Sequence, residues 1–121
     1  MQKFVVDSHA WLSYFQKKAG FKALIEENAL KTPVIVVAEL SCVLKRRSEA
    51  PEKIKEALEF IRGAGVVVEL DFEHAVKAGA LSAKEKMHLS DAIVYSYASA
   101  EEPVLTGDKD FAGKPFVKFI G

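Results

Sequence analysis

The chain is poor in cysteine, in amide side chains and in long apolar runs. Cys42 is the single cysteine among 121 residues. An internal disulfide and any multi-cysteine zinc site are therefore excluded. Its neighbours Leu40, Val43 and Leu44 suggest a small core residue rather than a nucleophile. Asn and Gln together number three against 17 Lys plus Arg, a weak lean towards heat adaptation. No apolar stretch approaches the ~20 residues that a membrane helix needs. Met1-Gln2-Lys3 leads into a short strand-like run broken at Asp7, which argues against a secretory signal. A cytoplasmic location with no membrane association is the expectation. No Gly/Pro/Ser-rich linker, repeat or low-complexity segment divides the sequence, so residues 1–121 are read as one domain.

Net charge is also absent: 17 basic residues balance 17 acidic ones. That argues against strong sequence-blind attraction to nucleic acid. It leaves room for a basic rim around an acidic centre, because the two cancel in the total.

Strand and helix signals alternate along the chain. Lys3 to Val6 reads as a buried strand, followed by a helix through Ala10-Trp11-Leu12 to about Lys18. A second helix is expected over 21–30. Pro33 opens a strand at Val34-Ile35-Val36, and a helix from about Val37 to Arg47 follows. Ser48 and Pro51 mark a break and restart. Ile54, Ala57, Leu58 and Ile61 recur at helical spacing. Val66 to Leu70 is a third strand, and Asp71 can cap a helix from Phe72 to about Lys84. A further helix opens near His88 to Ser90 and runs to about Ala100. Val104–Thr106 and Phe116–Ile120 complete five strands. Short apolar strands separated by helices imply a central, mainly parallel sheet in a three-layer α/β/α sandwich. Ligands bind beyond the carboxyl ends of such strands.

The acids stand out against this frame. Asp7, Glu39, Asp91 and the pair Asp108/Asp110 each adjoin a stretch that should be buried. Carboxylates are rarely set against a core unless their charge is compensated, and a divalent cation is the simplest shared compensator. Hard Mg²⁺ or Mn²⁺ prefers carboxylate oxygens and water. Such a centre activates water and stabilises a leaving oxygen, so phosphodiester hydrolysis is the natural reaction class. Asp7 and Asp108 follow strands one and four directly. Glu39 is placed in the first turn of the helix after strand two. Asp91 opens a helix that precedes its strand, so it reaches the same edge only if the preceding helix pair doubles back.

The stretches Val5-Val6-Asp7-Ser8, Ala38-Glu39-Leu40, Leu89-Ser90-Asp91-Ala92 and Leu105-Thr106-Gly107-Asp108-Lys109-Asp110-Phe111 are separated by 32, 52 and 17 residues from acid to acid. In order and spacing they resemble PIN-domain nucleases, over essentially the whole chain. The small size is similar to that of the VapC-type toxins of toxin–antitoxin pairs. The resemblance implies a PIN-like fold and an Mg²⁺- or Mn²⁺-dependent endoribonuclease, usually a homodimer and often held inactive by a small antitoxin protein. It implies that Asp7, Glu39, Asp91 and Asp108 hold the metal, with Asp110 supplementing Asp108 or capping a turn. Ser8 and Thr106 would orient carboxylates or water.

Other residues carry weaker signals. His9 is a candidate for substrate contact or for the outer shell of the site; His74 and His88 read as surface residues. Lys45-Arg46-Arg47 is either a set of dipole partners at a helix end or an RNA contact, and Lys109 beside the acids is a second candidate contact. Trp11, Tyr14, Phe15, Tyr95 and Tyr97 recur at helical spacing and suit core or dimer packing better than base stacking. Three other functions compete. A phosphoacceptor signalling domain would use Asp71, which follows strand three. A phosphatase would want an acid where His9 stands. A catalytically silent PIN-like binding module would keep the fold alone.

Overall fold

A computed structural model describes residues 1–121. Five parallel strands form one sheet, β1 (Lys3–Val6), β2 (Ala29–Pro33), β3 (Val66–Val68), β4 (Val104–Thr106) and β5 (Val117–Phe119), in the order β3-β2-β1-β4-β5. The helices are α1 (Ser8–Phe15), α2 (Lys22–Glu26), α3 (Val34–Arg46), α4 (Pro51–Ala64), α5 (Phe72–Glu85) and α6 (Leu89–Tyr95). A 3₁₀ turn spans Lys109–Phe111. Phe4, Val5 and Val6 on β1 are all buried although successive side chains face opposite ways. Both faces of the sheet are therefore covered, which gives three α/β/α layers.

Strand β1 is central, with β2 on one side and β4 on the other. The chain order reverses there, so the crevice outside the carboxyl ends of β1 and β4 is the expected ligand position. The register pairs Val6 with Leu105. The next residues out, Asp7 and Thr106, consequently face each other.

The second strand departs from expectation. Val34-Ile35-Val36 is not a strand; it is the first turn of α3, and β2 is Ala29–Pro33. The β-branched run suggested a strand, but such preferences are weak against tertiary packing. Val36 and Leu40, four residues apart, bury one helical face of α3. Within β2, Leu30 and Thr32 are buried, while Lys31 reaches Glu102 at 3.0 Å. That ion pair lets an inner strand carry a lysine, which obscured its signature. Glu39 consequently lies in the second turn of its helix, not the first.

Other boundaries shift for local reasons. Lys17, with φ 59°, ends the first helix region short of Lys18. The second helix covers only Lys22–Glu26, because Ala29 and Leu30 belong to β2. β3 stops at Val68 rather than Leu70. α6 stops at Tyr95, well before Ala100, where the buried Ser96 hydroxyl donates back to the Ile93 carbonyl at 2.6 Å. Cys42 is exposed, contrary to the core reading. Residues 36, 40, 43 and 44 take up the inward arc of α3, and position 42 falls outside it.

The α5–α6 pair does double back. Tyr97, beyond the end of α6, donates to the Glu69 carbonyl ahead of α5 at 2.7 Å. At the other end, Lys114 in the β4–β5 connection meets Glu85, the last residue of α5, at 3.1 Å. The first turn of α6 thus sits at the carboxyl edge beside the β4–β5 loop.

Candidate metal centre

Asp7 enters the site as the N-cap of α1. One carboxylate oxygen accepts the Ala10 amide at 2.8 Å, so the side chain is held by the helix it starts. The other accepts the Thr106 hydroxyl at 2.7 Å. Thr106 Oγ1 in turn accepts the Asp108 amide at 2.9 Å, and Asp108 Oδ1 accepts the Asp110 amide at 3.0 Å. A hydrogen-bonded chain therefore runs from the buried Asp7 out to the half-exposed Asp108 and the exposed Asp110. Thr106 is wholly buried and serves as both donor and acceptor within it.

Asp91, Asp108 and Asp110 each present a carboxylate oxygen, and these atoms lie within 4.8 Å of one another. Asp7 and Glu39 fall outside that set but share its field. Burial pushes the Asp7 carboxyl up to about 7, with the charges of Asp108 and Asp91 adding to it and the Thr106 and Ala10 hydrogen bonds opposing. Burial also raises Glu39; Asp91 and then Asp108 reinforce this, and the Ser90 and Ser8 hydroxyls work against it. Asp91 is raised by burial and by Asp108 and Asp110. None of the three ion pairs in the molecule involves these acids.

The donor set fits a hard divalent cation. It is all carboxylate oxygen and is spaced for a shared ion, and burial with neighbouring carboxylates raises Asp7, Glu39 and Asp91, whose charged forms a cation would favour. No cysteine or histidine lies in the converging set, which disfavours softer metals.

The remaining candidates lie at different distances from this centre. Ser8, the first residue of α1, is half-buried beside Glu39. His9 packs its ring against the loop after β4. A Cβ on Gly107 would come within 2.7 Å of His9 Cε1 and 2.8 Å of the Ile120 carbonyl. Glycine is required there by close approach, and His9 forms a wall of the site's supporting loop. Lys109 stands in the 3₁₀ turn between Asp108 and Asp110. Lys45, Arg46 and Arg47 end α3 and lie away from the acids. Arg47 borders a groove of about 590 Å³ whose walls include Leu12, Phe15 and Phe60, and Lys45 borders a second cavity with Lys55 and Glu59. Neither space touches an acid of the cluster. His74 is not a free surface side chain: it stacks on Tyr97 at 3.9 Å and bonds Asp71 at 2.8 Å.

Sequence reading passed over a cleft of about 220 Å³ that shares Asp91 and Asp110 with the cluster and is completed by Glu85, Lys86, Met87, His88 and Lys114. Lys86 and Lys114 belong to separate loops, and only the α5–α6 hairpin brings them together. No local spacing could have flagged them.

The PIN-domain family model matches residues 4–117, and the chain belongs to the PIN-domain family. Solved structures share the fold. A toxin–antitoxin complex from Klebsiella pneumoniae aligns over 96% of both chains with TM-score 0.73 and 23% identity. DNA-bound VapBC from Salmonella typhimurium aligns over 99% of this chain and 98% of that one, with TM-score 0.73 and 20% identity. VapBC2 from Rickettsia felis, bound to a promoter DNA fragment, aligns over 98% of both with TM-score 0.75 and 16% identity. VapC20 of Mycobacterium tuberculosis, a sarcin–ricin loop cleaving toxin, aligns over 78% of this chain and 79% of that one, with TM-score 0.60 and 17% identity. No curated protein matches the sequence.

Proposed function

We propose that this chain is a Mg²⁺- or Mn²⁺-dependent endoribonuclease of the VapC type. The observation that carries this reading is the convergence of Asp91, Asp108 and Asp110, tied through Thr106 to the buried Asp7. Asp7, Glu39, Asp91 and Asp108 would hold the cation, and Asp110 would supplement them. Ser8 and Thr106 would orient the carboxylates. A bound divalent cation would supply positive charge for the scissile phosphate and lower the pKa of water beside it.

The chain's own residues contribute order and charge. Thr106 holds the Asp7 carboxylate in one rotamer by donating to it, while its oxygen fixes the Asp108 amide. His9 and Gly107 keep that loop pressed against α1. Burial pushes the Asp7 carboxyl up to about 7, and it must release that proton to act as a ligand. Glu39 is raised in the same direction, so activity should rise with pH through about 7. Lys109, in the 3₁₀ turn between Asp108 and Asp110, would meet an RNA phosphate. Lys45, Arg46 and Arg47 would meet RNA only well beyond the acids.

The toxin–antitoxin neighbours support a small antitoxin protein as partner, and a homodimer as the working form is part of this proposal. Inhibition by the antitoxin would follow from a basic side chain set among the acids or from a blocked approach to them. No helix is long and apolar enough to cross a membrane, and a cytoplasmic site of action is part of this proposal. The phosphoacceptor alternative is weakened by Asp71, which caps α5 and is bonded twice by His74 on the exposed surface. A silent PIN-like module remains the second reading only if the centre fails to bind metal.

The deciding experiment is cleavage of a mixed RNA pool with Mg²⁺ or Mn²⁺, with EDTA and Asp7→Asn as controls. Cutting that requires both the metal and Asp7 supports the nuclease. A pure, folded protein that binds neither metal nor RNA would remove it.

A further inference from the structure

The 220 Å³ cleft beside the acids has a feature that the metal centre does not need. Its lining carries two lysines, Lys86 and Lys114, together with Asp91 and Asp110. Lys114 is half-spent on Glu85: the two meet at 3.1 Å with side chains 20% and 37% exposed. Lys86 sits just past the end of α5 with a left-handed backbone, φ 56°, a conformation glycine adopts more readily than lysine. The cleft is braced on both sides. The Ser82 hydroxyl donates to the Met87 carbonyl at 2.7 Å, and the Tyr95 hydroxyl donates to the Pro115 carbonyl at 2.6 Å. Two loops from different parts of the chain are thus pinned so that Lys86 and Lys114 line the same cleft as the acids.

We infer that this cleft binds the RNA phosphate next to the scissile one, on Lys114 and Lys86, and that Glu85 is an internal stand-in which that phosphate displaces. The inference rests on the nuclease reading. A strand whose reacting phosphate lies at Asp91 and Asp108 must continue past one side of the site, and its next phosphate needs a cation there. A partly exposed ion pair is worth little. Exchanging a carboxylate for a phosphate on Lys114 is therefore cheap, and Glu85 keeps the lysine placed while the cleft is empty.

The test is fluorescence anisotropy of a labelled single-stranded RNA with Ca²⁺ replacing Mg²⁺, comparing wild type with Lys114→Gln, Glu85→Gln and Lys86→Gln. Lys114→Gln should weaken binding about fivefold and flatten the dependence of log Kd on log salt by about one phosphate contact. Lys86→Gln should act in the same direction. Glu85→Gln should tighten binding, about two- to threefold, by freeing Lys114. Opposite signs are the signature. If the ion pair merely fastens the loop to α5, Glu85→Gln and Lys114→Gln lose the same fastening and shift binding alike, which overturns the inference. Unchanged affinity in all three variants overturns it as well. Lys114→Arg should restore binding, whereas equal loss in Lys114→Arg and Lys114→Gln would count against a phosphate contact. Wild-type protein that binds RNA but never cuts it would defeat the nuclease reading and leave the opposite-sign result to stand or fall by itself.

Discussion

The carboxyl edge of the sheet and the α1–α4 face follow opposite rules. On the α1–α4 face the buried aromatic finds its partners internally, with Phe60 left 43% exposed at the rim. Trp11 is fully buried, its indole N–H donates to Thr32 Oγ1 at 3.1 Å, and its rings stack on Phe15 with centroids 5.8 Å apart. Tyr14 and Phe60 close the cluster at 6.0 and 6.1 Å from Trp11. At the carboxyl edge, Asp7, Glu39 and Asp91 are buried or half-buried among like charges and none of them makes an ion pair. One region is built for stability. The other holds stored repulsion that a ligand can relieve, the pattern expected where function overrides local preference.

The sharpest way to break this contrast is to remove one member of each region. Asp91→Asn should reduce metal-dependent RNA cleavage at least about a hundredfold, in line with the loss of a positioned charge-stabilising group. It should leave the metal-free protein equally stable or more so, because it removes repulsion with Asp108 and Asp110. Trp11→Ala should do the reverse, costing about 3–5 kcal/mol of stability while the acids themselves are untouched. Thermal melts without metal check both. An Asp91→Asn protein that melts well below wild type would show that the acids are structural.

The pH dependence separates the regions without mutation. Asp7 binds its proton more tightly folded than unfolded, with its pKa near 7 against an ordinary 3.8. Stability from this group is fully present below about pH 4 and is lost as pH rises through about 7, on the order of a few kcal/mol at most. Glu39 and Asp91 are raised too and act in the same direction. The metal-free melting temperature should therefore fall between pH 5 and pH 8, and the increment on adding Mg²⁺ should grow over the same interval. A melting temperature that rises with pH would contradict the sign.

Thr106→Val tests the link between Asp7 and the outer acids. The swap keeps shape but strips the donor from Asp7 and the acceptor from the Asp108 amide. Metal affinity should drop about 10- to 100-fold, the usual range for a partner that orients ligands. Calorimetric titration with Mn²⁺ gives this directly, and an unchanged Kd would mean that Asp7 needs no such anchor.

How far these residues were legible depended on whether their signal was local. Asp7, Asp108 and the Asp71 cap were readable because each immediately follows or precedes an apolar run whose geometry is fixed by a few neighbours. The sandwich followed from the alternation of strand and helix. β2 was not readable: a strand with Lys31 among its inner residues makes sense only once Glu102 is known to face it, 71 positions away. Asp91's place needed the α5–α6 hairpin, and the Lys86–Lys114 cleft needed the same hairpin plus the β4–β5 loop. Long-range pairings leave no periodicity in either partner.

Helix α3 joins the two regions and supplies the smallest expected effect. Glu39 looks toward the acids, Leu44 and Arg47 border the aromatic groove, and Cys42 belongs to neither. A cysteine buried in apolar surroundings would lose on the order of 1 kcal/mol or more on conversion to serine, because a hydroxyl would replace a sulfur that needs no partner. An exposed one should change stability by no more than about 0.5 kcal/mol. Cys42→Ser should therefore leave the melting temperature, Mn²⁺ affinity and RNA cleavage unchanged. Cys42 should also react with a thiol reagent in the native protein as completely as in the unfolded one. Protection of the thiol, together with a destabilised serine variant, would mean that the α3 face opposite Leu40 is covered, and a covering partner there would have to be a second polypeptide.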